Sequence, residues 1–194
     1  MRVLVVYCHP VPESFCASLR DAAVATLTGR GDEVRLVDLY AEGFDPVMRP
    51  EERRRYNDGP PADPALTPYV EQLKWAEAVL FVYPTWWYGL PAMLKGFFDR
   101  VWATGVVFDL APQGGIVSRI PHIRRIGVVT TCGANRFLSI LMGQPGRKTI
   151  LRGIRALCGL RTRTMYLAHY DMDRSTPESR AAFLGRVNRK LKRF

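Results

Sequence analysis

Short, largely apolar runs alternate along the chain with longer segments in which apolar residues recur every three or four positions. The short runs are typical of parallel strands covered on both faces, and the three-to-four spacing is typical of helices. The runs predict strands at residues 3–7, 33–39, 79–83, 126–131 and 163–168. The periodic segments predict helices at residues 15–29, 64–76, 90–102, 148–157 and 176–192.

This alternation of strand and helix through short connections predicts an α/β fold, a doubly wound five-stranded parallel sheet. The number of strands and the length of the chain favour the flavodoxin-like strand order 2-1-3-4-5. A chain of 194 residues with 47% hydrophobic content is long enough to bury one core. No linker-like segment divides it, so we expect a single domain over residues 1–194.

Two stretches do not fit the alternation, residues 41–63 and residues 105–121. The first contains Pro46, Pro50, Pro60 and Pro61, which exclude a long helix. Long loops are uncommon in compact domains and often shape binding sites. We expect a functional role for the second stretch, whereas for the first a surface loop without function is an equal alternative.

The most informative loop follows the third predicted strand and carries three adjacent aromatic residues, Trp86, Trp87 and Tyr88. Pro84 precedes them, and Pro91 suits the first turn of the next helix. In open α/β sheets, ligands bind outside the carboxyl ends of the strands. The loop is therefore predicted to hold a flat ligand; the alternative is that the two indoles only cap a core.

Two more loops are predicted to reach the same edge of the sheet. After the first strand, His9 and the helix cap Ser14 supply donors at a helix start, a place that favours phosphate. After the fourth strand, backbone N–H groups near Cys132 and Gly133 can approach a ligand closely. Together the loops outline a flavin site. The first loop lacks the Gly-x-Gly-x-x-Gly pattern of Rossmann dinucleotide sites.

The formal net charge is +10, and partners that carry phosphate are therefore attracted. Much of the excess lies late in the chain, at Arg147, Lys148, Arg152, Arg155, Arg161, Arg163, Arg186, Arg189, Lys190, Lys192 and Arg193. The last of these charges accompany an apolar stripe at Phe183, Val187 and Leu191, which is typical of a solvated helix face. A nucleic-acid partner is therefore not predicted.

Other chemistry is not predicted. The four cysteines show no Cys-x-x-Cys spacing, and the three histidines are scattered, so we expect no metal site. No secretory signal or integral membrane segment is predicted, and we expect a cytoplasmic protein with reduced thiols.

The chain resembles the NAD(P)H:quinone oxidoreductase and modulator-of-drug-activity family of flavodoxin-like flavoproteins over nearly its whole length. The resemblance is carried by the segments at residues 7–15, 84–100 and 130–133. It implies a phosphate loop, a ring-binding loop and a loop facing the pyrimidine edge. The cofactor-binding residues that we expect are His9, Ser14, Phe15, Cys16, Pro84, Thr85, Trp86, Trp87, Tyr88, Thr131, Cys132 and Gly133.

The resemblance also implies a two-electron, ping-pong reaction in which NAD(P)H reduces a flavin and a quinone or similar acceptor reoxidises it. Trp87, Tyr88 and Phe108 are the candidates for the flat slot. We favour FMN, with FAD possible, because no C-terminal extension is evident that would cover an adenosine. NADH and NADPH both remain open as co-substrate. Family members are typically homodimers whose sites open at the subunit interface, so we expect a homodimer.

The chain departs from its best-known relatives, which carry a tyrosine and a histidine after the fourth strand. Phe137 lies near the expected tyrosine, and no histidine occurs between His122 and His169. Asn135 is a catalytic candidate as a compensation for this departure, with Arg136 as a second possible compensation. Tyr88 is a catalytic candidate because its hydroxyl can donate to an acceptor oxygen; the alternative is a tyrosine that only packs. The departure keeps open a different function, a flavin-binding regulatory or accessory subunit of a transport system with weak reductase activity.

Overall fold

The computed structural model describes residues 1–159 and 161–194. Its main sheet has five parallel strands in the order β2-β1-β3-β6-β7, and the predicted order 2-1-3-4-5 is thereby confirmed. A separate antiparallel hairpin, β4-β5, lies inside the stretch 105–121. The strands are β1 (Arg2–Tyr7), β2 (Glu33–Asp38), β3 (Ala78–Thr85), β4 (Phe108–Leu110), β5 (Ile116–Ser118), β6 (Arg125–Cys132) and β7 (Arg163–His169).

Helices cover both faces of this sheet. The α-helices are α1 (Phe15–Gly29), α2 (Pro50–Arg54), α3 (Thr67–Trp75), α4 (Ala92–Val101), α5 (Arg136–Leu141), α6 (Pro145–Lys148) and α7 (Pro177–Leu191). Short 3-10 turns at Pro64–Leu66 and Met172–Arg174 precede α3 and α7.

Two predictions after the fourth strand need correction. Helix α5 was not predicted, because it spans only six residues and much of its apolar surface is exposed. The helix predicted at 148–157 begins earlier, with α6, and continues as a π-helix at Thr149–Ile154. The wider π-turn changes the spacing of the apolar residues, so a strict period of 3.6 residues gives the wrong start and end for this helix.

The central strand β3 explains why the apolar run at its position is continuous. Val79, Phe81 and Tyr83 face one core cluster, which contains residues of α3 and α4. Leu80 and Val82 face the other cluster, which contains residues of α1 and α7. Because both faces are covered, every residue from 78 to 84 is buried.

The stretch 41–63 is anchored to α4 through Arg100, whose side chain is only 5% exposed. The guanidinium donates to both carboxylate oxygens of Glu52 at 3.0 Å, to Asp63 Oδ2 at 2.7 Å and to the Asp45 carbonyl at 2.6 Å. The stretch is therefore a segment packed against α4. Between it and α4 lies a lateral cavity of about 340 Å³.

Candidate functional site

The loops after β1, β3 and β6 meet at the carboxyl edge of the sheet and enclose one cleft of about 560 Å³. This volume is in the ordinary range of small-molecule sites. The lateral cavity shares no lining residue with this cleft. The cleft is lined by His9, Pro84, Thr85, Trp86, Trp87, Tyr88, Thr131, Cys132, Gly133, Ala134, Met172 and Asp173.

The aromatic loop is a tight turn with unusual backbone geometry. Trp87 and Tyr88 have φ values of 49° and 61°, and the Gly89 amide donates to the Trp86 carbonyl at 2.9 Å. Two successive positive φ values are the pattern of a type I′ turn, which normally uses Asn and Gly. The turn leaves the Trp87 side chain 95% exposed at the mouth of the cleft.

Two contacts fix the base of this turn. The Thr85 and Thr130 hydroxyls lie 2.9 Å apart and join β3 to β6. On the other side, Gly146 of α6 packs against Gly89, and a Cβ at Gly146 would lie 3.1 Å from the Gly89 carbonyl carbon. The segment 143–149, which loosely resembles a phosphate loop in sequence, therefore supports the aromatic turn.

His9 contributes an oriented imidazole to the cleft. Its Nδ1 accepts from the Val11 amide at 3.0 Å, so the proton of the neutral ring lies on Nε2. Burial lowers the pKa of His9 from its ordinary value of 6.5. His9 is therefore neutral at pH 7 and presents Nε2–H as a donor.

Three predicted residues of the phosphate loop are not among the residues that line the cleft. Ser14 is the N-cap of α1, and its Oγ accepts from the Ala17 amide at 3.1 Å. The Phe15 ring packs edge-on against His169 at 5.6 Å. Cys16 is buried, with Sγ 3.6 Å from Thr131 Oγ1. These residues position the start of α1, where Ser14 accepts from the Ala17 and Ser18 amides and the Phe15 and Cys16 amides have no carbonyl acceptor within the helix.

The loop after β6 brings backbone to the cleft, and the segment after β7 adds one carboxylate. A Cβ at Gly133 would lie 2.8 Å from Asp173 Oδ2, so the two residues are in close contact. The Asp171 amide donates to the Ala134 carbonyl at 3.1 Å and joins this loop to the segment before α7. Sequence reasoning missed Met172 and Asp173, because the contribution of the segment after β7 depends on this tertiary hydrogen bond.

A polar network that sequence reasoning also missed lies beside the cleft. Gln144 donates to the Tyr170 hydroxyl at 2.9 Å and accepts from Arg147 at 2.9 Å. Gln144, Arg147 and Tyr170 line a small pocket together with Thr85, Tyr88 and Cys132, so the network adjoins the ring-binding loop. Its charge comes from Arg147, whose guanidinium also lies 5.2 Å from the centroid of the Tyr166 ring.

Several other candidates are not among the residues that line the cleft. Asn135 is the N-cap of α5 and accepts from the Leu138 amide at 2.9 Å. Arg136 and Phe137 are exposed on α5. Phe108 packs against the core at the hairpin. Burial lowers the pKa of His169, which lies in an aromatic cluster with Phe15 and Phe183.

The cysteines and possible metal ligands add no reactive group. All four cysteines are free and buried. Burial raises the pKa of Cys16 to about 11 and that of Cys8 and Cys158 to about 12, so these thiols stay protonated at neutral pH. Within the described residues, no three His, Cys, Asp or Glu side chains form a group that could hold a metal ion.

A family model described as a flavodoxin-like fold matches residues 1–191. The chain belongs to this flavodoxin-like family. Helices long and apolar enough to cross a membrane are absent from the described part of this flavodoxin-like chain.

Named relatives confirm the resemblance to NAD(P)H:quinone oxidoreductases. The NAD(P)H oxidoreductase YcaK of Escherichia coli (strain K12) is 36% identical over 111 residues, which cover 55% of each chain. NAD(P)H dehydrogenase (quinone) 1 of Cavia porcellus is 29% identical over 98% of this chain and 76% of its own. The structure of an NAD(P)H:quinone oxidoreductase from Methanothermobacter marburgensis is 25% identical, with a TM-score of 0.84 over 99% of this chain and 96% of its own. The chain spans about half the length of several curated relatives, 55% in the case of the E. coli protein.

Proposed function

We propose that this protein is a flavin-dependent NAD(P)H oxidoreductase that reduces a quinone or a similar flat aromatic acceptor by a ping-pong mechanism. One observation carries the proposal: three loops converge on a cleft whose mouth holds an almost fully exposed indole in a strained turn. Strain of this kind persists where the surrounding structure holds it for function. The names of the relatives support a nicotinamide donor and a quinone-like acceptor.

The residues of the cleft fit a flavin mononucleotide. The His9 Nε2–H and the first-turn amides of α1 suit the phosphate, since this end of the helix carries the positive end of its dipole. Residues 85–88 suit the ring, and the backbone of Thr131, Cys132 and Gly133 suits its pyrimidine edge. When bound there, a flavin would supply the two-electron chemistry between the nicotinamide and the acceptor.

The chain's own groups orient the reactants and exclude water. Trp87 and Tyr88 flank the space in which donor and acceptor alternate, and their rings favour flat aromatic molecules. Tyr88 is the catalytic candidate within the cleft, because its hydroxyl suits an acceptor oxygen. The Gln144–Tyr170–Arg147 network takes the place of the absent tyrosine and histidine, and its cation favours negative charge on the ring.

FMN is favoured over FAD because the stretch 41–63 packs against α4 and encloses its own cavity, which shares no lining residue with the cleft. An adenosine reaching beyond the phosphate loop would therefore need a cover from elsewhere. The choice between NADH and NADPH stays open, since arginines lie at both edges of the sheet.

The protein acts as a homodimer in this proposal. Phe137, Ile140 and Leu141 lie at helical spacing on one face of α5 and are 78%, 54% and 65% exposed. With Trp87 also exposed, apolar surface lies on α5 and at the mouth of the cleft. Exposed apolar patches of this kind mark interaction surfaces. A second copy of the chain would cover this apolar surface and enclose the position of the acceptor.

The test is an anaerobic titration of the purified protein with FMN, followed by NADPH or NADH and then a benzoquinone. We expect tight FMN binding, loss of the visible flavin absorbance on adding nicotinamide, and its return with quinone. A protein that rejects both FMN and FAD would overturn the cofactor assignment. Flavin that binds but is not reduced by either nicotinamide would instead favour the accessory-subunit function.

A further inference from the structure

A second charged cleft lies at the amino edge of the sheet, opposite the cofactor cleft. Its volume is about 360 Å³, and four arginines line it: Arg124, Arg125, Arg161 and Arg163. The two clefts share no lining residue, and the length of β6 separates them by roughly 20 Å. The proposed reductase function does not use this cleft.

The four arginines are held together by strand pairing and by a packed turn. Arg125 and Arg163 are direct neighbours in the β6–β7 register. The Arg163 amide donates to the Arg124 carbonyl at 2.9 Å. Thr162, which is buried, donates from Oγ1 to the Ile123 carbonyl at 2.8 Å and fixes the turn that carries Arg161.

The chain neutralises the charges of this cleft only in part, and the Arg125 guanidinium donates to the Arg193 carbonyl at 3.2 Å. On the other half of the same edge, Arg2 lies beside Glu77, and the amino terminus lies beside Asp32. In the described residues, no carboxylate lies within ion-pair distance of any of the four arginines of the cleft. Glu77 offsets part of the charge, since its pKa is lowered by a hydrogen bond from the Arg2 amide and by the charges of Arg2 and Arg124.

Arg125 and Arg163 are register partners on β6 and β7, so two positive charges start from neighbouring backbone positions, and an anion would reduce their repulsion. Guanidinium groups bind phosphate oxygens in pairs, and four of them match an anion with several phosphate groups. Among the described residues that line the cleft, none is aromatic and could stack against bases. We propose that the amino edge binds a small multivalent phosphate anion, either a phosphate chain or the polyphosphate of a nucleotide.

The test is calorimetric titration of the protein, with and without saturating FMN, with inorganic tripolyphosphate and with ATP at low ionic strength. We expect one site per chain with equal affinity in the presence and absence of FMN, because the clefts are separate. Equal affinities for the two anions would show that the site binds the phosphate chain alone. Tighter binding of ATP would show that it also binds the nucleoside. Because binding is measured without turnover, failure here and failure of the reductase proposal are distinguishable.

The matched variants are Arg161→Gln/Arg163→Gln and the control Arg53→Gln/Arg54→Gln, which removes two exposed arginines of α2 that line neither cleft. We expect binding about tenfold weaker or more in the first and unchanged in the control. Equal weakening in both would show that only net charge matters and would overturn the site. A single-stranded oligonucleotide that binds more tightly than tripolyphosphate through the same two arginines would overturn the small-anion assignment. Thermal unfolding of each variant verifies that the fold is intact.

Discussion

The left-handed backbone of the aromatic turn places two large side chains where glycine or asparagine is ordinarily found. Trp87 and Tyr88 have φ values of 49° and 61°, and such a conformation costs about 1–2 kcal/mol per residue. The Trp87 ring is 95% exposed, so packing within the chain does not offset this cost. We infer that a tryptophan occupies this position because its exposed ring can contact a bound ligand.

Replacing Trp87 with asparagine separates strain from binding. Trp87→Asn should leave the free energy of unfolding unchanged or raise it by up to about 1 kcal/mol, because asparagine tolerates positive φ. It should weaken acceptor binding, measured as a higher KM for benzoquinone. Trp87→Tyr, which keeps a ring, is the control and should retain most of the affinity. A clear loss of stability in urea unfolding would contradict the strained-turn argument.

At the scale of elements, α6 supports the cleft from outside. Gly146 lies against the Gly89 backbone, and backbone atoms cannot move aside as a flexible side chain would. Gly146→Ala should therefore displace the aromatic turn by a few tenths of an ångström and weaken FMN binding about tenfold. Gly153→Ala is the matched control, since a Cβ there meets nothing within 4 Å. FMN fluorescence titration measures both, and equal affinities would show that α6 does not position the turn.

Helix α4 and the stretch 41–63 depend on one another through Arg100. Arg100→Met should lower the free energy of unfolding by about 3 kcal/mol, because Glu52 and Asp63 would lose their shared cation. Lys95→Met, which breaks the exposed pair with Asp99 on the same helix, should cost less than about 1 kcal/mol. Urea unfolding compares the two variants. Similar small costs in both would mean that Arg100 does not anchor the stretch.

At the scale of the whole molecule, the exposed face of α5 is where we expect a second copy. Phe137→Lys/Leu141→Lys should turn a dimer into a monomer in sedimentation velocity, because charges would replace the apolar contacts. The control is Leu36→Lys/Val47→Lys, which changes two exposed apolar residues on and after the edge strand β2. A wild-type protein that is monomeric at every concentration would contradict the dimer.

The sequence by itself determined the sheet and the edge at which the site lies. Buried parallel strands produce apolar runs such as residues 79–83, and alternation with helices leaves few possible topologies. The aromatic loop was recognised as part of the site because the carboxyl ends of parallel strands meet at one edge. These properties follow from local periodicity and chain order.

Only the tertiary structure decided which side chains reach the cleft. Asp173 lines the cleft because the hydrogen bond between Asp171 and Ala134 holds its segment there. Gln144, which follows β6, donates to the hydroxyl of Tyr170, which follows β7. The two arginines at the starts of β6 and β7 became neighbours through strand register. Contacts between residues distant in sequence produce no periodic pattern in the sequence, so they could not be predicted from it. The positive φ of Trp87 could not be predicted either, because tryptophan rarely adopts this conformation.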